Sequence, residues 1–449
     1  MEIRHSHFEI DLQKPFQNCE LEREKYANIL SAFIEKYNKN LVLAINNPWG
    51  TGKSTFIKMW EQSLRLKGYN TAFFNAWEND FNNDPLTAII GELSMLKGKK
   101  KIELKRVVDV ASKLRSELIP LLIKGFAEKK FGKEFTDFID ATIKGSGKVM
   151  QKYVEDYTEK KESLAEFRSE LEKAINEVSP DKPVVFFIDE LDRCRPNYSV
   201  EILEKVKHFF NVKNIIFVLA IDKLQLSHAI CGVYNSEKIN AEEYLKRFID
   251  IEYTIPEPKT NLYINYLSKK FDINSFFAKE NRVEELRNYN NYTKEIFGKS
   301  SLRTIEKMMG ILAVSLFLNH ARYIHFPLLL FLIYLKIEKN DDYEKYNSKK
   351  MSVQQMRDNF VGYYHTFPTP LFSAVEAQFA IAYANYISSD ALFKFVSQNG
   401  NILYHSTMQP DDVKMVIEAY NRDLRTDTIN LSLEKYLSKI NITEEFDIF

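Results

Sequence analysis

A glycine-rich segment that ends in a lysine and two hydroxyl residues carries the strongest chemical signal in this chain. Its residues are Asn47, Pro48, Trp49, Gly50, Thr51, Gly52, Lys53, Ser54 and Thr55. Glycine lets a backbone approach an anion closely and take φ values that other residues resist. The N–H groups and the dipole at the start of a following helix also attract negative charge. The segment therefore predicts a phosphate-binding loop, or P-loop.

Two side chains of this loop would act on phosphates directly. Lys53 is expected to reach the β- and γ-phosphates of a nucleotide, and the hydroxyl of Ser54 to hold Mg²⁺. The strict motif has glycine where this chain has Asn47. Because asparagine enters the left-handed backbone region at low cost, we expect the exchange to weaken the motif without breaking it. The alternative is a glycine-rich turn before a buried helix.

A second chemical signal follows a run of five apolar residues, 184–188, which ends in Asp189 and Glu190. In a site that hydrolyses a nucleotide, Asp189 would hold Mg²⁺ through a water and Glu190 would act as general base on the attacking water. A buried strand ending in a charged loop is the alternative, but its position after a P-loop favours a Walker B strand. The pattern leaves the roles of Asp192 and Arg193 open.

Four further polar residues are weaker candidates. Asp222 follows another buried strand at the position called sensor 1, where it would orient the water or a finger arginine. Lys246 and Arg247 precede a strand, where a base can reach a phosphate of the same or a neighbouring subunit, or simply be solvated. Arg303, at the start of a helix, could be a lid arginine (sensor 2) that contacts the nucleotide or a partner in a surface salt bridge.

Short apolar runs predict the strands that position these residues, and helical spacing predicts the helices around them. The expected strands are 41–45, 71–74, 184–188, 215–221 and 251–256. At least one strand separates the P-loop strand from the Walker B strand, as in the additional-strand class of P-loop ATPases. We therefore predict an α/β fold with a five-stranded, mostly parallel sheet flanked by helices. Since no guanine-specificity motif follows the fourth strand, ATP is favoured over GTP.

Four residues after the second strand are expected at the ligand edge of the sheet, because ligands bind at the carboxyl ends of parallel strands. They are Asn75, Trp77, Glu78 and Asp80. For Trp77 itself we expect packing in the interior rather than a functional contact.

The pattern suggests three regions. Residues 1–258 form a nucleotide-binding core that carries a charged helical insert at about 86–180, residues 259–340 form a helical lid, and residues 341–449 form a helical C-terminal domain of unknown role. A basic cluster at 97–106 inside the insert is either a contact for a nucleic-acid backbone or a solvated helix start.

Composition narrows the class of protein. The chain has 62 lysines and arginines and 62 aspartates and glutamates, so its formal net charge is zero. The overall charge therefore gives no reason to expect a nucleic-acid or membrane partner. The three cysteines are widely spaced and form no disulfide framework or metal site. The apolar stretches 308–318 and 327–335 are too short to span a bilayer, and residues 1–7 lack the apolar core of a signal peptide. We expect a soluble, cytoplasmic protein without a membrane span.

Several motifs in order resemble those of one family, the KAP P-loop NTPases. The matching segments are 48–54, 74–77, 188–194, 217–222 and 244–256, within about residues 11–310. Tryptophan inside the P-loop and the run Asp189-Glu190-Leu191-Asp192-Arg193 are the specific parts, since generic P-loop proteins usually lack both. This chain departs from the family at Asn47, and its insert lacks the transmembrane helices that many relatives carry.

The resemblance implies an ATPase related to AAA+ and STAND proteins, which use ATP and Mg²⁺ to switch or assemble. The implied partners are further copies of the chain or a separate effector protein, and many bacterial members look like components of defence against phages or plasmids. Two alternatives stay open: a nucleotide-binding scaffold with little turnover, and an ATPase stimulated by nucleic acid through residues 97–106.

Overall fold

The computed structural model describes residues 10–37, 40–81, 85–96, 162, 165–209, 212–235, 239–278, 282–318, 324–367, 370–387 and 433–441. The chain divides into two compact units between Glu257 and Pro258. The basic cluster at 97–106 and most of the predicted insert lie outside the described residues.

A five-stranded sheet forms the centre of the first unit. Its strands are β1 (Leu41–Asn46), β2 (Thr71–Asn75), β3 (Val184–Asp189), β4 (Ile215–Ile221) and β5 (Ile251–Tyr253). Their order is β2-β3-β4-β1-β5, and every neighbouring pair is parallel. Strand β4 therefore separates β1, which precedes the P-loop, from β3, which was predicted as the Walker B strand, and the predicted α/β fold is confirmed.

Helices cover both faces of this sheet. They are α1 (Glu24–Lys36), α2 (Lys53–Leu66), α3 (Pro85–Ser94), α4 (165–178), α5 (Pro196–Phe209), α6 (Lys223–Val233) and α7 (Ala241–Leu245). Strands β1, β3 and β4 read as nearly continuous apolar runs because parallel strands are buried on both faces. Successive residues of β3 point into opposite core clusters: Phe186 packs with Phe217 on one face, and Phe187 packs with Trp60 of α2 on the other.

The second unit is helical throughout its described part. Its helices are α8 (Thr260–Lys270), α9 (Ile273–Ala278), α10 (Val283–Phe297), α11 (Leu302–Phe317), α12 (Phe326–Glu338), α13 (Asn340–Asn347), α14 (Val353–Thr366), α15 (Pro370–Ile387) and α16 (Leu433–Asn441).

Helix α12 explains one of the two apolar stretches of the sequence. Its residues from Phe326 to Leu335 are all buried. A helix that is apolar on every side is stable in water only when other parts of the protein surround it. Phe331 packs against Phe360, Phe372 and Phe379 from α14 and α15. Within the described residues, no helix has the length and apolar character needed to cross a bilayer. The predicted division of this helical region near residue 340 stays a prediction.

Candidate nucleotide site

The P-loop connects β1 to α2 at the carboxyl edge of the sheet. Gly50 and Gly52 have φ angles of 79° and 81°. These angles lie in the left-handed region, where a side chain is strained, so both positions require glycine. Gly52 caps α2 with no side chain of its own, and the helix begins at Lys53. The loop therefore places the start of α2 at the ligand edge, as an anion site requires.

A buried arginine supports the backbone of the P-loop. Arg23 lies immediately before α1 and is 3% exposed. Its guanidinium donates hydrogen bonds to the carbonyl oxygens of Thr51, at 2.7 Å, and Gly52, at 3.1 Å. Sequence reasoning missed this residue because an isolated arginine before a helix carries no local signal. The contact makes α1 part of the P-loop's support.

Asn47 supports the loop in a way that differs from our prediction. It is not among the residues with positive φ, so left-handed geometry does not explain it. Its buried side-chain amide instead donates to the carbonyl oxygen of Ile255 and accepts from the Ile255 N–H, both at 2.9 Å. Its backbone N–H donates to the carbonyl oxygen of Ile221 at 3.2 Å. Asn47 thus ties the P-loop to the chain that follows β5, which glycine could not do.

Restoring the motif with Asn47→Gly should therefore weaken the protein. The exchange leaves two backbone groups of the buried Ile255 without partners, at a cost of about 1–3 kcal/mol. We expect the midpoint of thermal unfolding to fall by roughly 3–8 °C and nucleotide affinity to fall with it. Asn235→Gly is the matched control, because Asn235 is exposed and has a positive φ that glycine accepts. Unchanged stability in Asn47→Gly would refute the tether.

Lys53 is buried inside the loop that it follows. Its Nζ donates to the carbonyl oxygen of Asn47 at 2.5 Å and lies 3.5 Å from that of Pro48. Burial lowers the pKa of Lys53, while the negative charges of Asp192, Asp222 and Asp189 oppose that shift. The ammonium group therefore lies among three carboxylates that favour its charged form.

Ser54 and Asp189 form the oxygen pair that was predicted to hold Mg²⁺. The Ser54 side chain hydrogen-bonds to Asp189, and Asp189 Oδ1 also accepts from the Glu190 N–H at 2.9 Å. Asp189 is 1% exposed. Burial raises the pKa of Asp189 to about 6, and the Glu190 charge adds to this, although the two hydrogen bonds oppose it. A buried carboxylate beside a hydroxyl fits a hard divalent cation, which prefers oxygen ligands.

Removing the Asp189 charge should stabilise the protein when nucleotide and metal are absent. The pKa is raised from 3.8 to about 6, so the folded state binds more protons than the unfolded state between these values. Stability therefore falls as the pH rises through this window, by up to roughly 3 kcal/mol. We expect Asp189→Asn to unfold at a higher temperature than wild type above about pH 6, and the gain to vanish near pH 4. Thermal unfolding in EDTA measures it, with the exposed Asp181→Asn as control; an equal gain at both pH values would contradict this prediction.

Glu190, the predicted base, is held by two neighbours. Its φ of 58° turns the chain sharply after β3. Its Oε1 pairs with Nη1 of Arg193 at 2.6 Å, and Asn75 Nδ2 lies 3.4 Å from its Oε2. The structure thus gives Arg193, whose role the pattern left open, a direct contact with the predicted base. It also confirms that Asn75, at the end of β2, lies at the same edge as Glu190.

The loop after β2 differs from prediction at Trp77. The Asn75 side-chain oxygen accepts from the N–H groups of Trp77, at 3.1 Å, and Glu78, at 3.3 Å. Asp80 is held by Arg195, whose Nε donates to the Asp80 carboxylate oxygen Oδ1 at 2.8 Å. With its backbone held in this turn, Trp77 projects outward and is 55% exposed. The prediction that Trp77 packs in the interior was wrong.

The remaining candidates lie in different places. Asp222 is 8% exposed and caps α6 by accepting from the Gln225 N–H at 3.3 Å, so one of its oxygens already has a structural partner. Arg247 is exposed, with its guanidinium over the Tyr244 ring at 5.9 Å. The structure brings Asp222 close to Lys53 but shows no contact from Arg247 to this group.

Arg303 is exposed near the start of α11 in the second unit, and its sensor role stays a prediction.

The sheet order, the glycine loop and the acids that end β3 define a P-loop NTPase of the additional-strand class. A family model described as the KAP family P-loop domain matches residues 23–319. The chain therefore belongs to the KAP family of P-loop NTPases, as its motifs predicted.

A curated relative and several solved structures are also similar. The relative is the phage T7 exclusion protein of Escherichia coli strain K12, 22% identical over 254 residues, or 52% of this chain and 32% of the relative. The chain thus spans about a third of that protein's length. A DNA replication initiation factor aligns at 11% identity over 97% of this chain and 99% of its own, with a TM-score of 0.32. ORC2 of Aeropyrum pernix, in ADPNP–ADP complexes, aligns at 12% over 94% of each chain, with a TM-score of 0.30. TM-scores this low carry no functional argument.

Proposed function

We propose that this chain is an Mg²⁺-dependent ATPase whose nucleotide state controls a protein assembly. The observation that carries the proposal is the grouping of Lys53, Ser54, Asp189 and Glu190 at one edge of the sheet. Phosphoryl transfer needs positioning and charge neutralisation more than covalent help from the protein. This group supplies one cation, an oxygen pair for a metal and one carboxylate base.

Each residue would have one task. Lys53 would leave the carbonyl oxygen of Asn47 and neutralise charge on the β- and γ-phosphates. Ser54 and Asp189 would hold Mg²⁺, which when bound supplies further neutralisation of the phosphate oxygens. Glu190 would orient and deprotonate the attacking water, with Asp222 beside Lys53 as a second group that orients this water.

The contact of Glu190 with Arg193 favours a second candidate, a nucleotide-binding scaffold with little turnover. A carboxylate paired at 2.6 Å is less available to accept a proton from water. Turnover would then require a partner or a neighbouring copy that draws Arg193 away. Stimulation of the ATPase by nucleic acid stays an expectation from residues 97–106, outside the described part of the chain.

Purified protein tests the ATPase proposal. We expect it to bind ATP with Mg²⁺ and to release phosphate, and we expect its elution volume in size-exclusion chromatography to depend on the bound nucleotide. Binding with turnover no faster than that of Lys53→Ala would favour the scaffold. Failure to bind ATP would overturn both candidates.

The relative's name suggests the setting in which such an assembly would act. We propose a cytoplasmic role in excluding phages, carried out by further copies of the chain or by a separate effector. Plaque counts on bacteria expressing the wild type should fall below those on bacteria expressing Lys53→Ala. Equal counts for every phage tried would contradict this role.

A further inference from the structure

The side chain of Asp192, two residues after Glu190, lies where separate loops of the site meet. The Asp192 carboxylate accepts from the indole Nε1–H of Trp49 in the P-loop. The backbone N–H groups of Asp222, after β4, and of Asp192 itself also favour the charged form of this carboxylate. The side chain is buried, at 9% exposure. One carboxylate therefore joins the loops that follow β1, β3 and β4.

This contact orients Trp49 more than packing does. Trp49 remains 44% exposed, so much of its ring has no protein surface against it. Trp60 offers the contrast, since it is fully buried in the core and its indole N–H donates to Ser31 at 3.0 Å. A hydrogen bond to a buried carboxylate is stronger than one between neutral groups. The orientation of Trp49 therefore depends on Asp192.

The same carboxylate also faces the phosphate-binding lysine. Lys53 and Asp192 attract each other, and this attraction favours the charged form of both groups. Trp49 lies directly before Gly50, whose left-handed backbone lets the loop turn. An anchor at Trp49 thus limits the conformations of the loop just before Thr51 and Gly52, whose carbonyl oxygens accept from Arg23.

We propose that Asp192 is a positioning residue that holds the P-loop in its binding conformation through Trp49. This inference rests on the proposed function, in which the loop binds Mg–ATP. Asp192 touches neither phosphate nor the reacting water in this scheme. Its effect on nucleotide binding passes through the indole N–H.

A double-mutant cycle tests this dependence. Dissociation constants for Mg–ATP are measured by calorimetry for the wild type, Trp49→Phe, Asp192→Ala and the double variant. We expect each single change to weaken binding about tenfold and the double variant to lose no more than about tenfold, because both remove one contact. Independent losses that multiply to roughly a hundredfold would overturn the inference.

Two further variants separate the hydrogen bond from charge and from general damage. Asp192→Asn keeps an oxygen that can accept from Trp49, so it should bind within about threefold of wild type. A loss as large as that of Asp192→Ala would assign the effect to charge beside Lys53 and overturn the inference. Trp77→Phe, at the other exposed tryptophan of this edge, should leave binding unchanged. Wild-type protein that binds no Mg–ATP overturns the proposed function as well, whereas normal wild-type binding with multiplying losses overturns this inference alone.

Discussion

Lys53→Ala should abolish measurable nucleotide turnover and weaken Mg–ATP binding by roughly 100- to 1,000-fold. Lys53 carries the positive charge that lies inside the P-loop, where its Nζ contacts the Asn47 carbonyl oxygen. Three acidic side chains surround it and favour its charged form against the effect of burial, which lowers its pKa. Alanine removes this charge from the place where the phosphates would add negative charge. The expected loss is therefore in binding as well as in rate.

The control is Lys67→Ala at the far end of the same helix. Lys67 is exposed and hydrogen-bonds to Asn28 at 3.0 Å, away from the loop. Both variants lose one lysine, so a general effect of charge would appear in both. Calorimetry with Mg–ATP and a phosphate-release assay measure the two quantities. Turnover by Lys53→Ala at the wild-type rate would mean that another site hydrolyses the nucleotide.

Glu190→Gln should separate binding from chemistry. We expect kcat to fall by roughly 100- to 10,000-fold while the dissociation constant for Mg–ATP changes little, because glutamine cannot accept a proton from water. Glutamine has a similar shape and keeps one side-chain oxygen, which can still accept from Arg193, so the turn after β3 should persist. The variant should then accumulate in its ATP-bound state.

Single-turnover measurements and nucleotide binding on the same preparation check this result. Glu78→Gln is the control, because Glu78 lies on the exposed part of the neighbouring loop. Loss of binding together with turnover would show that Glu190 supports the site structurally and is not the base. If Glu190→Gln and wild type turn over at the same slow rate, the scaffold is the better description.

The local motifs were sufficient to predict the elements of the site. The residues around Gly50, Gly52 and Lys53 predicted a strand, a tight loop and a helix, and the structure has them in that order. The apolar run before Asp189 predicted a buried strand with its acids at the ligand edge. These predictions succeeded because glycine φ angles, helix starts and buried strands depend on residues that are close in sequence.

Predictions about single side chains failed where a distant partner decides the outcome. The amide of Asn47 pairs with Ile255, so its presence has nothing to do with the backbone freedom on which the prediction rested. Trp77 was expected inside, but hydrogen bonds to Asn75 turn its backbone outward. Arg23 was overlooked because its partners are carbonyl oxygens in another segment, which leave no mark on its own neighbours in sequence.

The type and order of the residues determine that this chain builds a P-loop and a buried strand that ends in paired acids, since each motif carries its own backbone geometry. Which side chains meet across the sheet is decided by the parallel order β2-β3-β4-β1-β5. That order brings Trp49 to Asp192 and Asn75 to Glu190, although each pair is far apart in sequence. Contacts between the carboxyl ends of different strands form only when the sheet is complete, so the tertiary structure alone could reveal how the loop is held.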